Sequence, residues 1–218
     1  NVKVVPWDSY EETYTTALNS GEGPDVGYMY NEMFPSYIDS GAVVDMSEYV
    51  TDEDKEEYKY LENGYMMDGQ YGWPLVTGVP FVLYYNEDIL NALGEKAPET
   101  WDDFARICQE ATKDTDGDGK VDQYGFACGM NTSDIGAMQI LNAYYYSALW
   151  QNGGQVYNDD LKSVSFADEA GKEAVTWLKG LTSYMNEDFM SLSWSDAFSN
   201  VFGVGKAAFG ITRSSQTD

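Results

Sequence analysis

Tyr71-Gly72-Trp73-Pro74-Leu75-Val76-Thr77-Gly78-Val79-Pro80-Phe81-Val82-Leu83-Tyr84-Tyr85-Asn86 is the stretch on which the reading of this chain turns. Its second half, Val79 to Tyr85, is apolar, β-branched and aromatic, the character of a buried strand. Pro80 has no N–H for a sheet ladder, so the strand is expected to begin after it or to pass an edge there. The first half sets an aromatic, a proline, a hydroxyl and a glycine side by side. The patterns before and after the stretch each read as an α/β unit. A strand joining two such units would serve as a hinge with a cleft beside it, and clefts between lobes are where small ligands usually bind. The chain is therefore divided into a first lobe, 1–79, and a second, 80–218.

Charge removes several classes of function. The 218 residues carry 37 acidic and 12 basic side chains, a net charge of −25. That balance excludes nucleic acid as a partner, because phosphates call for a basic surface, and it argues against an anionic membrane. No run approaches the roughly 20 apolar residues of a membrane span, and a soluble extracellular protein fits. The chain opens on Asn1 without Met, which reads as a mature or excised sequence. Histidine is absent altogether. Ser-His-Asp and Cys-His nucleophiles, His-ligated zinc and the commonest general base go with it. The abundant Tyr and Trp combine a flat apolar face with a polar edge, which suits a sugar ring.

In the first lobe, Val2 to Val5 reads as a short strand, and Asp8-Ser9-Tyr10-Glu11 as a capping box with Asp8 as N-cap. Tyr10, Tyr14 and Leu18 share the packed face of the helix that follows, and Gly21 ends it. Val26 to Met29 reads as a second strand. Tyr30, Asn31 and Glu32 then fall just past its carboxyl end, where ligands meet open α/β sheets; a solvated loop is the alternative. Pro35 starts a short helix ending at Gly41, and Thr51 to Asp68 is an acidic surface helix and turn.

In the second lobe, Thr100 caps a helix with Trp101, Phe104, Cys108 and Ala111 on one side. A strand from Tyr124 to Cys128 leads to Asn131, again at a carboxyl-end loop. Ile135 to Trp150 has helical spacing with rings around it, some of which must face the cleft. Val156 to Phe166 reads as a hairpin. Asp168 caps a helix whose buried face is Ala174, Leu178 and Leu181, and Ser195 caps the next. Ala207 to Thr212 is a last strand, with Arg213 just beyond it.

Between helix and strand lies Asp114-Thr115-Asp116-Gly117-Asp118-Gly119-Lys120-Val121-Asp122. Carboxylates at the first, third, fifth and ninth positions with glycine at the sixth reproduce the opening of an EF-hand loop. Asp114, Asp116, Asp118 and Asp122, with the Lys120 carbonyl, are the expected ligands of a structural calcium ion. The closing bidentate Glu is replaced by Gly125, which lowers affinity or calls for a ligand from elsewhere; an Asp-Gly turn without metal is the alternative. Cys108 and Cys128 flank this loop. An oxidising compartment favours pairing them, helix-to-sheet spacing opposes it, and the sequence leaves the choice open.

Several short motifs occur in a telling order: Gly23-Pro24-Asp25-Val26, Tyr37 to Met46, Tyr71-Gly72-Trp73-Pro74, Leu83 to Asp88, Pro98 to Phe104, Gln151-Asn152-Gly153-Gly154 and Gly205 to Gly210. Together they resemble family 1 extracellular solute-binding proteins, the maltose- and oligosaccharide-type receptors of ABC importers. The resemblance implies a two-lobed, periplasmic-binding-protein-like α/β fold of type II, truncated at both ends. It implies a receptor, extracellular and lipid-anchored or periplasmic, that captures a saccharide and presents it to a membrane permease without covalent chemistry. By position, Glu32 matches a carboxylate that accepts sugar hydroxyls, with Tyr30 beside it. Thr77 and Gly78 fall in the hinge-side loop, where the maltose-type pattern has an acidic residue that this chain lacks. On the second lobe Asn131, Trp150, Trp194 and Arg213 are the expected contacts. Two rivals are a glycoside hydrolase using paired carboxylates and a calcium-dependent carbohydrate-binding or adhesive module.

Overall fold

The computed structural model describes residues 2–6, 9–75, 80–131, 139–158 and 162–214. They fall into two compact units, Asn1–Val79 and Pro80–Asp218.

The first unit is mainly helical. Helix α1 (Tyr10–Asn19) buries Tyr10 and Tyr14 and ends in a left-handed Gly21. Ser9 stands at its N-cap position without a side-chain cap bond; the expected cap, Asp8, lies outside the described residues. A 3-10 turn (Asn31–Met33) leads into α2 (Phe34–Asp39), with Pro35 in its first turn as the sequence predicts. Helix α3 (Asp52–Glu57) carries a full capping box, the Thr51 hydroxyl accepting the Asp54 amide at 3.1 Å while Asp54 accepts the Thr51 amide at 2.8 Å. After a 3-10 turn (Leu61–Gly64), β1 (Tyr65–Met66) and β2 (Gly69–Gln70) pair as a hairpin, and its two turn residues, Met67 and Asp68, both take positive φ. Buried Gln70 ties the hairpin down by donating to the Leu61 and Gly72 carbonyls at 3.0 and 2.6 Å.

Two expected strands are not formed here. Val2 to Val5 has no ladder, and Val2 and Val4 stand 95% and 88% exposed. Val26 to Met29 is likewise unpaired. A strand exists only with a hydrogen-bonding neighbour, and none of the described residues pairs with either segment. Tyrosines hold the second one instead: the Tyr10 hydroxyl donates to the Tyr28 carbonyl at 2.6 Å, and Gly27 lies against the Tyr14 hydroxyl, where a Cβ would collide.

The second unit is a three-layer arrangement about a three-stranded sheet of order β3-β5-β4. Strand β3 (Phe81–Tyr85) starts directly after Pro80 and forms one side of that order, so it is half-buried rather than the fully buried strand its composition suggests. Strand β5 (Ala207–Arg213) is central, antiparallel to β3 and parallel to β4 (Tyr124–Ala127). Its small residues admit packing on both faces. On one, Phe209 meets Phe104 of α5 (Trp101–Ala111) with ring centroids 4.8 Å apart. On the other, a Cβ at Gly210 would strike Phe198 and Phe202, so the glycine is what lets that pair of rings close on the sheet.

Helix α4 (Glu87–Leu93) is capped by Asn86, α5 by Thr100 and α7 (Glu169–Leu181) by Asp168, all by side-chain acceptance of backbone N–H groups. Between them a π-helical turn (Leu141–Tyr146) runs into α6 (Ser147–Gln151). Antiparallel bridging of Tyr157 and Val164 matches the expected hairpin. Helix α8 (Trp194–Ala197) corrects a cap: Ser193, not Ser195, is the N-cap, its hydroxyl accepting the Asp196 amide at 3.1 Å. Trp194 thus opens the helix instead of preceding it. Arg213 is the last residue of β5 and not the first beyond it. Cys108 and Cys128 are free and buried, which corrects the pairing alternative. Cys108 sits on α5 and Cys128 just past the end of β4.

Candidate functional site

In the first unit, Tyr30 precedes the 3-10 turn and its hydroxyl donates to the Glu11 carboxylate. Glu32 lies exposed within that turn, beside buried Met33. A short, tight turn thus presents Glu32 to solvent while Met33 anchors it among Tyr10 and Tyr14. Thr77 and Gly78 lie outside the described residues.

In the second unit three expected residues are brought to one end of the sheet. Strands β4 and β5 run parallel with Ala127 opposite Gly210, so Asn131 and Arg213 both lie just past that pair at the carboxyl ends. Asn131 is held by two bonds, its amide to the Leu192 carbonyl at 2.9 Å and its side chain to the Ser191 carbonyl at 3.1 Å. The same segment carries Trp194, whose indole N–H donates to the Ile211 carbonyl at 3.0 Å. Trp194 is only 6% exposed and packs edge-to-face with Phe81 at 5.5 Å, so it has little surface to offer a ligand. The Arg213 guanidinium lies over the Phe81 ring at 5.6 Å, and none of the described carboxylates is within salt-bridge distance of it. The other arginine, Arg106, is paired with Glu95 and Glu110. Phe81 and Ser191 are positioning residues that sequence reasoning missed, since nothing local marks a residue for partners so far along the chain.

Trp150 is placed differently. It is 54% exposed, stacked on Tyr146 at 5.4 Å. Tyr144, earlier on the same helical run, is the ring that packs on Phe126 beside the carboxyl end of β4. Six residues of helix carry Trp150 about 9 Å along the axis from it.

Of the Asp-rich loop, Asp114, Asp116 and Asp122 bring carboxylate oxygens within 4.8 Å of one another. Asp118 stands apart from that group, its carboxylate accepting the Lys120 amide at 2.8 Å. Asp114 accepts the Gly117 and Gly119 amides at 2.6 and 2.8 Å, with both glycines at positive φ. These N–H donors, Gly119's first, hold the Asp114 carboxyl below the ordinary range. The Thr115 hydroxyl and amide do the same for Asp122. Hard oxygen donors on a curled loop suit calcium chemically. The missing closing Glu has a structural reason: Gly125 lies in β4 hard against the Cys108 backbone, where even a Cβ would overlap.

The profile of the bacterial extracellular solute-binding proteins matches residues 1–218. The chain belongs to that family. A binding protein of Brucella abortus is 27% identical over 225 residues, covering 97% of this chain and 49% of the relative. The multiple sugar-binding protein of Streptococcus mutans is 32% identical over 109 residues, 46% of this chain and 24% of that one. Among solved structures, the maltose/maltodextrin-binding domain MalE of Bdellovibrio bacteriovorus, bound to maltotriose, superimposes with a TM-score of 0.74 at 16% identity, covering 97% of this chain and 51% of its own. The mixed α/β fold is therefore that of the MalE-like binding proteins. This solute-binding protein spans about half the length of the Brucella relative and of that domain. Family and neighbours are binding proteins rather than enzymes, and an extracellular or periplasmic location goes with membership.

Proposed function

We propose that this solute-binding protein captures a neutral saccharide and delivers it to an ABC permease, without catalysing a reaction, from the outer face of a membrane to which a lipid anchors it. The observation that carries this is the meeting of Asn131, Trp194 and Arg213 at the carboxyl ends of parallel β4 and β5, the end of an open α/β sheet where ligands bind. The Asn131 amide and the Arg213 guanidinium offer donors and acceptors to sugar hydroxyls, while Trp194, its indole N–H committed to the Ile211 carbonyl, holds that end of the sheet in place. The sugar-binding relative and the maltotriose-bound neighbour support the ligand class.

On the first unit, Glu32 is to accept paired hydroxyls, with Tyr30 beside it; Thr77 and Gly78 complete the proposed contacts. Trp150, exposed and backed by Tyr146, is the proposed stacking face on the second. Calcium on Asp114, Asp116 and Asp122, with Asp118 and the Lys120 carbonyl drawn in, is proposed as a structural ion that fixes the loop between α5 and β4. Calorimetry of the full-length protein against a panel of saccharides, peptides and amino acids is the test. Saccharide binding that weakens about tenfold or more in Glu32→Gln and Trp150→Ala is expected, from lost charge-assisted hydrogen bonding and lost stacking. Binding of peptides or amino acids with no sugar bound overturns the ligand class.

A further inference from the structure

We propose that Tyr60 is a ligand-contacting residue of the first unit, its ring a platform for the apolar face of a sugar; this rests on the saccharide reading above. Tyr60 has φ 64° and ψ 24°, the left-handed region, which is costly for a bulky side chain. Wherever else this chain needs that conformation outside one hairpin turn it places glycine, at seven positions among the described residues. The two other exceptions, Met67 and Asp68, are the central pair of the β1–β2 hairpin, whose two-residue turn demands positive φ at both. Tyr60 has no such excuse. Its turn is held by backbone alone, the Asn63 amide donating to the Tyr60 carbonyl at 3.0 Å, so glycine would serve there equally well.

Tyr60 is 53% exposed, and its side chain makes no hydrogen bond or ring contact among the described residues. Strain kept at an exposed aromatic without a hydrogen bond or ring partner among the described residues points to function. The surroundings suit a pyranose. Two residues earlier in the sequence, Tyr58 meets Trp73 edge-to-face at 5.5 Å. Exposed Glu62 and Asn63 follow directly, offering a carboxylate and an amide to ring hydroxyls. A ring face for C–H groups beside polar groups for the hydroxyl rim is the chemistry of sugar recognition.

The decisive variant is Tyr60→Gly, which removes the ring and relieves the backbone together. Wild type, Tyr60→Gly and Tyr60→Phe of the full-length protein are titrated with glucose-, xylose- and galactose-based mono- and oligosaccharides, and each is melted without ligand. Affinity lower by about tenfold or more in Tyr60→Gly, with the melting temperature unchanged or raised, is expected. Equal affinity in Tyr60→Gly and wild type overturns the proposal and leaves the saccharide reading standing. A fall in melting temperature alongside the affinity loss assigns Tyr60 a structural role and overturns it too. If no saccharide binds the wild type, the saccharide reading fails and this inference falls with it.

Discussion

The Asn186 side-chain carbonyl accepts the Cys128 backbone amide at 2.8 Å, joining residues 58 positions apart. Asn186 is 1% exposed, and its amide end donates to Asp188 at 2.8 Å, so both ends of a buried polar group are satisfied. The bond closes β4 where it turns toward Asn131, and it fixes the segment that leads to Ser191 and Trp194. Asn186→Ala leaves the Cys128 N–H buried without a partner. A loss of about 1–3 kcal/mol is expected in urea unfolding. A midpoint equal to wild type would show that another acceptor replaces it.

Burial decides the chemistry of the cysteines. Cys108 and Cys128 lie in the main core, and burial pushes the Cys128 thiol up to about 12, against a small opposing effect of Tyr144. Cys108 is raised by the same cause. Thiolate is the reactive species, so at neutral pH both should resist a thiol reagent in the folded protein. Two equivalents are expected to react in denaturant without reductant. Zero equivalents there would mean a disulfide after all.

What the sequence displays well is what a few adjacent residues determine. The Thr100 and Asp168 caps are local, and both helices begin where those residues place them. The Ser193 cap was equally readable, because Ser193 and Asp196 have the spacing of a capping box; the neighbouring Ser195 drew the cap to itself. Val2 to Val5 and Val26 to Met29 have the composition of strands, but strands depend on a partner that no local pattern specifies. The candidate site divides in the same way. Asn131 and Arg213 were visible as residues at strand ends, whereas Phe81 under Arg213 and Asn186 under Cys128 are products of long-range closure.

The Asp-rich loop yields a prediction on calcium, pH and sequence together. Calcium should raise the melting temperature and a chelator lower it; identical midpoints would remove the proposed ion. Because the Asp114 and Asp122 carboxyls are held low in the folded state, their contribution is present above the ordinary aspartate pKa of about 3.9 and is lost as pH falls through the lower folded values. Acid unfolding should therefore shift to higher pH in Asp114→Asn. Supplying the closing carboxylate by Gly125→Glu should not raise calcium affinity. Its side chain would have to enter the Cys108 backbone, so a destabilisation of at least about 1–3 kcal/mol is expected instead. Tighter calcium binding by the variant would contradict this.

Arg213 and Trp194 sit on the same Phe81 ring and should respond to mutation in opposite ways. Trp194 is a core residue: its indole fills the space against Phe81 and satisfies the Ile211 carbonyl. Trp194→Ala should cost about 3–5 kcal/mol of stability, whatever it does to binding. Arg213 is half-buried at a strand end and lacks a carboxylate partner among the described residues, so its guanidinium contributes to the fold chiefly through the face of Phe81. Such a contact is worth about 0.5–1 kcal/mol. Arg213→Met keeps an unbranched chain over the ring and removes the donors. The expected result is a melting temperature within a few degrees of wild type together with a clear loss of saccharide affinity. Phe81→Leu, which keeps an apolar side chain there but removes the ring beneath the guanidinium, should reproduce part of that loss. If Arg213→Met binds sugar as wild type does, the carboxyl end of β5 lies outside the ligand site and only the Asn131 side of this edge is left to the proposal.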